Sequence, residues 1–191
     1  MFRHVALGLT LAASVALSAP ALAEETFKID SEGMHAQIGF RTLHLGYSWL
    51  SGRFDKFDGS FTFNEKSPAE SAIVVNIDAT SLNSNHAKRD EHLRSADFFD
   101  VANHPTAKFE STKIEVTGDK TGVITGDLTL RGVTKPLSID VEYIGGGDDP
   151  WGGFRRGFTG TAEIVPADFG MPHMIAKQTV YLTLDVEGIR Q

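Results

Sequence analysis

The chain contains no cysteine, so its histidines and methionines are the side chains with the most metal or nucleophile chemistry. Met171-Pro172-His173-Met174 sets a thioether, an imidazole and a second thioether side by side, a donor set suited to Cu(I). The cluster is short and lies in a proline-containing loop, which favours an ordinary turn over a metal site. His86-Ala87-Lys88-Arg89-Asp90-Glu91-His92 pairs His86 with Asp90, and Lys88 with His92, at the i, i+4 spacing that shares a helix face. His86 and His92 would stand roughly 240° apart around that helix, too far round to hold one ion. A solvated helix with pairs such as Asp90 to Arg94 is the plainer reading. His44 and His104 stand alone beside turns and read as structural. With no cysteine, disulfides, zinc ribbons, thiolate nucleophiles and iron–sulfur clusters drop out.

The rest of the composition narrows the class. The 191 residues carry 18 basic against 25 acidic side chains, a formal charge of −7, with 41% hydrophobic and 23% charged residues. That describes one globular domain without a basic footprint for phosphate backbones, so no nucleic-acid partner is expected. Residues 1–23 open with Arg3 and His4, continue through an apolar run from Val5 to Leu17, and end in Ala21-Leu22-Ala23. The run is too short to span a bilayer, and the small-x-small ending suits signal peptidase. The expectation is a cleaved signal peptide over 1–23, a single domain over 24–191, and a periplasmic location.

From Glu24 onward, apolar residues alternate in short runs closed by Gly, Pro, Asn or Asp, which predicts antiparallel strands. The runs are Thr26–Asp30, Ala36–Thr42, Trp49–Lys56, Ser60–Asn64, Ala72–Asp78, Thr106–Val116, Val123–Leu130, Pro136–Tyr143, Arg156–Ile164 and Thr179–Val186. Their number fits an all-β, eight-stranded antiparallel barrel with extras. Phe57-Asp58-Gly59, Gly118–Gly122 and Gly132–Pro136 read as hairpin turns. Asn85–Arg94 reads as the one short helix, capped by Asn or Ser, and its scarcity of apolar residues puts it on the surface or across one barrel end.

In such a barrel every second side chain points inward. The apolar parity places Ile38, Phe40, Leu50, Gly52, Phe54, Phe61, Phe63, Val75, Phe109, Gly126, Leu128, Leu130, Ile139, Val141, Phe158, Gly160, Ile164 and Leu182 inside. An interior read this way has no charge and almost no hydroxyl. It lacks the positioned polar groups of acid–base or nucleophilic catalysis, and it suits hydrocarbon. Gly52, Gly126 and Gly160 either open a channel beside the phenylalanines or let the wall bend; parity leaves both open.

Four stretches carry a resemblance to a known family: His44–Phe54, His86–Phe99, Gly126–Pro136 and Gly147–Gly153. In this order and spacing they resemble the YceI family of periplasmic proteins along the whole chain after the leader. The resemblance implies an extended lipocalin-like barrel that binds an amphipathic prenyl-chain lipid, a polyisoprenoid or isoprenoid quinone. It implies no enzymatic activity and no covalent cofactor. Expected partners are that lipid and a transient membrane or membrane-protein contact, with the chain a monomer or dimer. A bound head group needs polar residues at one barrel end, and Tyr47, Trp49, His86, Arg89 and Trp151 are the candidates. The alternative from the first motif is a metal-binding redox or stress protein using Met171, His173 and Met174.

Overall fold

The computed structural model describes residues 25–33 and 35–191, the side chains of Met174 and Ile175 excepted; the leader lies outside them. Eleven strands occur there: β1 (Glu25–Ile29), β2 (Gln37–His44), β3 (Ser48–Phe54), β4 (Phe57–Phe63), β5 (Ala72–Asp78), β6 (Leu82–Asn83), β7 (Thr106–Val116), β8 (Thr121–Leu130), β9 (Val133–Asp148), β10 (Phe154–Ile164) and β11 (Val180–Arg190). One helix, α1 (Ala87–Arg94), separates β6 from β7.

The strands form one antiparallel sheet that closes on itself. β11 pairs with β2 along Val180–Asp185 and with β1 along Gly188–Arg190, so β1 and β2 are two halves of one wall strand, interrupted at residues 30–36. Opposite them, β3 pairs with β2 and β4 with β1, and β6 and β5 follow the same division. Merging these halves leaves an eight-stranded up-and-down barrel, as the alternation predicts. The expected turn at Phe57-Asp58-Gly59 is instead strand, with Phe57 opposite Ile77 and Gly59 opposite Val75. The break falls at Asp55-Lys56, where the Ser81 carbonyl and hydroxyl accept from the two backbone N–H groups. The turn expected at Gly132–Pro136 shrinks to Arg131-Gly132, with φ of 52° and 74° and Leu130 paired to Val133. Two left-handed residues match the twist of a two-residue hairpin.

The two barrel ends differ. At one, residues 95–105 and 165–179 fold over the strands and bury Phe98, Phe169, Met171 and Ala176 against Ala107, Leu130, Leu137 and Ala162. Arg131 ties these segments together by donating to the Gly170 and Ala96 carbonyls. Helix α1 lies at this end. Its cap is His86, whose Nδ1 accepts from the Arg89 N–H at 3.2 Å, not the Asn or Ser expected. Asp90 is its one buried residue; it accepts from the Ser84 N–H at 2.8 Å and from the Ser84 hydroxyl. Burial pushes the Asp90 carboxyl up, and the Ser84 bonds with nearby Arg94 outweigh it, leaving a net lowering. Asp90→Ala is expected to cost about 2 kcal/mol by orphaning the Ser84 donors. Urea denaturation checks this, and an unchanged midpoint would mean that other contacts hold the helix.

Candidate functional site

The other end is open. A cavity of about 380 Å³ runs into the barrel from between residues 65–71 and the β7–β8 turn, within the size range of small-molecule sites. Eleven of the side chains expected inside line it: Ile38, Phe61, Phe63, Val75, Phe109, Leu128, Ile139, Val141, Phe158, Gly160 and Leu182. Aromatic packing shapes the wall, with Phe61 stacked on Phe27 at 4.9 Å and edge-on to Phe158 at 5.5 Å.

Seven of the expected residues do not line the cavity: Phe40, Leu50, Gly52, Phe54, Gly126, Leu130 and Ile164. All but Leu50 lie where side chains fill the barrel. Phe54 is buried between Phe40 and Phe99, with ring centroids at 5.9 and 5.7 Å, and Leu130 belongs to the core beneath the plug. Ile164 packs against that core and pairs with Val180. Leu50 pairs with Thr42 near the β2–β3 turn. The two glycines are spaces for rings: a Cβ at Gly52 would stand 2.3 Å from the Phe40 ring, and one at Gly126 2.5 Å from the Phe109 ring. Gly160 alone of the three borders the channel.

Parity also missed lining residues. Ile114 and Val116 face inward because a bulge between Ser111 and Lys113 shifts the β7 register and so exchanges the faces. The sequence carries this signal as a change from odd apolar positions, Ala107 and Phe109, to even ones. The polar rim of Glu65, Ser71, Asp119 and Lys120 comes from loops outside the parity rule, while Tyr143 continues the inward parity of Ile139 and Val141 on β9.

The interior is not free of charge. Arg156 shares the inward parity of Phe158 and is 5% exposed. It donates to the Tyr143 hydroxyl at 2.9 Å and to Glu65 at 3.2 Å, and its guanidinium lies over Phe63 and Phe154 at 4.8 and 5.2 Å. These rings shield a cation that would be expensive to bury alone.

The residues expected at the mouth do not line it. His86 caps α1, and Arg89 donates to the Ser84 hydroxyl and carbonyl at 2.7 and 2.6 Å, both at the plugged end. Tyr47 lies in the β2–β3 turn and is 88% exposed. Trp49 meets Tyr181 edge-on at 5.6 Å beneath Arg41. Trp151 is in the β9–β10 hairpin at the open end, but its ring lies on the outside against Arg155 at 5.3 Å. Aromatic and polar residue types suit a mouth, yet position along the barrel decides, and parity does not report it.

Two other clusters bear on metal chemistry. Met171 is 4% exposed within the plug, so its thioether is committed to packing, while the His173 ring stacks on Phe98 at 4.8 Å. The Met174 side chain lies outside the described residues. Asp30, His35 and Glu187 bring donor atoms within 4.8 Å of one another. Arg155 already stands among them, donating to Asp30 at 2.7 Å, to Glu187 at 2.5 Å and to Asp149 at 2.7 Å. The His35 hydrogen bond, opposed by burial and joined by Arg155 and the Gly33 N–H, holds Asp30 down at about 2.

A closed antiparallel barrel, plugged at one end and hollow and apolar toward the other, defines a lipocalin-like, cavity-bearing protein. The YceI-like domain matches residues 27–188, and the chain belongs to the YceI family. It is 51% identical over 187 residues to Protein YceI of Escherichia coli O157:H7, covering 97% of each chain. Among solved structures, the Campylobacter jejuni YCEI protein superposes with a TM-score of 0.71 at 28% identity, over 78% of this chain and 90% of that one. A polyisoprenoid binding domain from Saccharophagus degradans superposes with a TM-score of 0.61 at 15% identity, over 86% and 98%.

Proposed function

We propose that this protein binds an amphipathic polyisoprenoid or isoprenoid quinone in the barrel cavity and sequesters or carries it in the periplasm, without catalysing a reaction on it. The observation that carries this reading is the apolar cavity open at a single end. The Saccharophagus degradans neighbour, described as a polyisoprenoid binding domain, supports the ligand class, and the leader-like residues 1–23 support the compartment.

The energetics suit such a chain. Each buried methylene contributes about 0.8 kcal/mol, so ~20 sheltered carbons gross roughly 16 kcal/mol before the entropic cost of immobilising them. Apolar walls supply that without directional bonds. Around the open end, Val116, Ile144 and Trp151 are 54%, 60% and 77% exposed. Exposed apolar side chains beside a lipid channel support transient contact of this rim with a membrane surface.

Native mass spectrometry of protein purified from the periplasm tests the reading. The expected result is a non-covalent hydrophobic adduct that organic extraction removes. A stoichiometric metal with no organic adduct would overturn it in favour of a metal protein.

A further inference from the structure

We infer that Tyr143, positioned by Arg156, is the hydrogen-bond donor that receives the polar end of the ligand at the channel mouth, and that this end is an uncharged oxygen acceptor such as a quinone carbonyl. The inference rests on the lipid-binding reading above and adds the chemistry of the head group.

Tyr143 lines the cavity near its opening. Its ring completes a triangle with Phe63 and Phe158, with centroids at 5.8 and 5.2 Å from Tyr143 and 5.5 Å from each other. Its hydroxyl accepts from Arg156 at 2.9 Å, which leaves its own proton to donate; no acceptor for that proton occurs among the described residues. The side chain is half-buried at the opening, so an oxygen arriving with a ligand can take that proton in place of water.

Local features converge on this placement. The β9–β10 register slips between Gly157 and Phe158, so that Phe158 faces Tyr143 while Gly157 faces Gly145. Bulges of this kind re-aim side chains. At Gly146, a Cβ would stand 2.8 Å from both the Arg155 carbonyl and the Tyr143 hydroxyl and 2.9 Å from the Arg156 side chain, so a larger residue there would disturb the strand pairing as well as the pair. Arg156 is 5% exposed, and its Nε–H is buried without an acceptor among the described residues.

The charge around the mouth selects the ligand class. Arg156 faces Glu65 at 3.2 Å and Glu25 at 3.5 Å, and Glu25 also pairs with Arg190 at 2.8 Å. Asp119 and Lys120 also border the opening, the Lys120 carbonyl accepting from the Tyr143 N–H at 2.7 Å. The three carboxylates offset the three cations, leaving no surplus positive charge for a diphosphate. A neutral acceptor takes the phenol proton without disturbing that balance.

The test measures binding of three probes of equal chain length to the intact protein: a prenyl benzoquinone, the headless polyprene hydrocarbon and the polyprenyl diphosphate. The wild type is expected to bind the quinone most tightly. Tyr143→Phe is expected to weaken quinone binding about five- to tenfold and leave the hydrocarbon unchanged. It should also return the infrared carbonyl stretch of the bound quinone toward its hydrogen-bond-free position. Arg156→Lys, which keeps the charge but loses the fork, is expected to reproduce the quinone-specific loss. Equal losses for quinone and hydrocarbon, or an unmoved carbonyl stretch, would overturn the head-group assignment while leaving lipid binding intact. A preference for the diphosphate would overturn the neutral class. Failure of the wild type to bind any probe would overturn the lipid reading itself and this subsite with it.

Discussion

Gly160→Leu is expected to fold and to lose lipid, whereas Gly126→Leu is expected to lose the native structure. Both glycines have inward parity, but their surroundings differ. At Gly160 a Cβ would meet the Ile139 and Val141 methyl groups at 3.1 and 3.4 Å and the Asp140 carbonyl at 3.3 Å, contacts that shifts of about a few tenths of an ångström relieve, and the rest of the leucine extends into the channel. Displacing about four methylenes of bound chain at about 0.8 kcal/mol each amounts to roughly 3 kcal/mol, more than a hundredfold in affinity. At Gly126 the same atom would lie 2.4 Å from the Glu110 carbonyl and 2.5 Å from the Phe109 ring. The carbonyl belongs to the paired strand and cannot rotate away, so a loss of about 3 kcal/mol or more in stability is expected. Circular dichroism melts and co-purified lipid, measured on the same preparations, check both halves. A folded Gly160→Leu protein carrying lipid at the wild-type level would place the ligand elsewhere.

Arg155→Met is expected to lower the melting temperature by about 10 °C near neutral pH, with the difference from wild type shrinking in acid. The guanidinium joins Asp30 at the end of β1, Asp149 in the β9–β10 hairpin and Glu187 on β11, three segments remote in sequence. Removing it strands carboxylates beside one another. The sign follows from Asp30, whose carboxyl is held at about 2 in the folded protein against 3.8 ordinarily. A depressed folded value adds stability that is complete above pH 4 and lost as the pH falls from about 4 to about 2. The variant lacks Arg155's share of that term, so its melting temperature should vary less across the window. Melts from pH 7 to pH 2 test this; a gap that stays constant with pH would assign the loss to packing of the arginine stem alone.

The two predictions turn on different kinds of information, and the sequence carried them unequally. The β fold was legible because alternation directly reflects which face of a strand is buried. Phe61, Phe63, Ile139, Val141 and Phe158 declare an inside wherever the strands pair. The bulge in β7 was legible in principle, since the apolar parity changes between Phe109 and Ile114. Arg156 was also within reach, two residues before Phe158 on the same face, but a charged residue is not expected indoors until Glu65, Tyr143 and the rings around it are known.

Height along the barrel had no local signal. Phe54 and Phe61 look alike in sequence, yet Phe54 packs near the plug and Phe61 lines the channel. The difference comes from residues 95–105 and 165–179, which fold across one end and fill it with Phe98, Phe169 and Met171. The same closure places His86 and Arg89 in the anchoring of α1 rather than at a mouth. Sequence alone determined most of the strands and buried faces and the family resemblance, because these follow from neighbouring residues and ordered motifs; the β3–β4 break and the far half of β7 escaped it. Only the tertiary structure decided which end opens, which glycines leave space for a ring and which for a ligand, and where polar groups meet the cavity. Those outcomes depend on contacts between segments remote in the chain, such as Tyr143 with Arg156 and Arg156 with Glu65, to which no local periodicity responds.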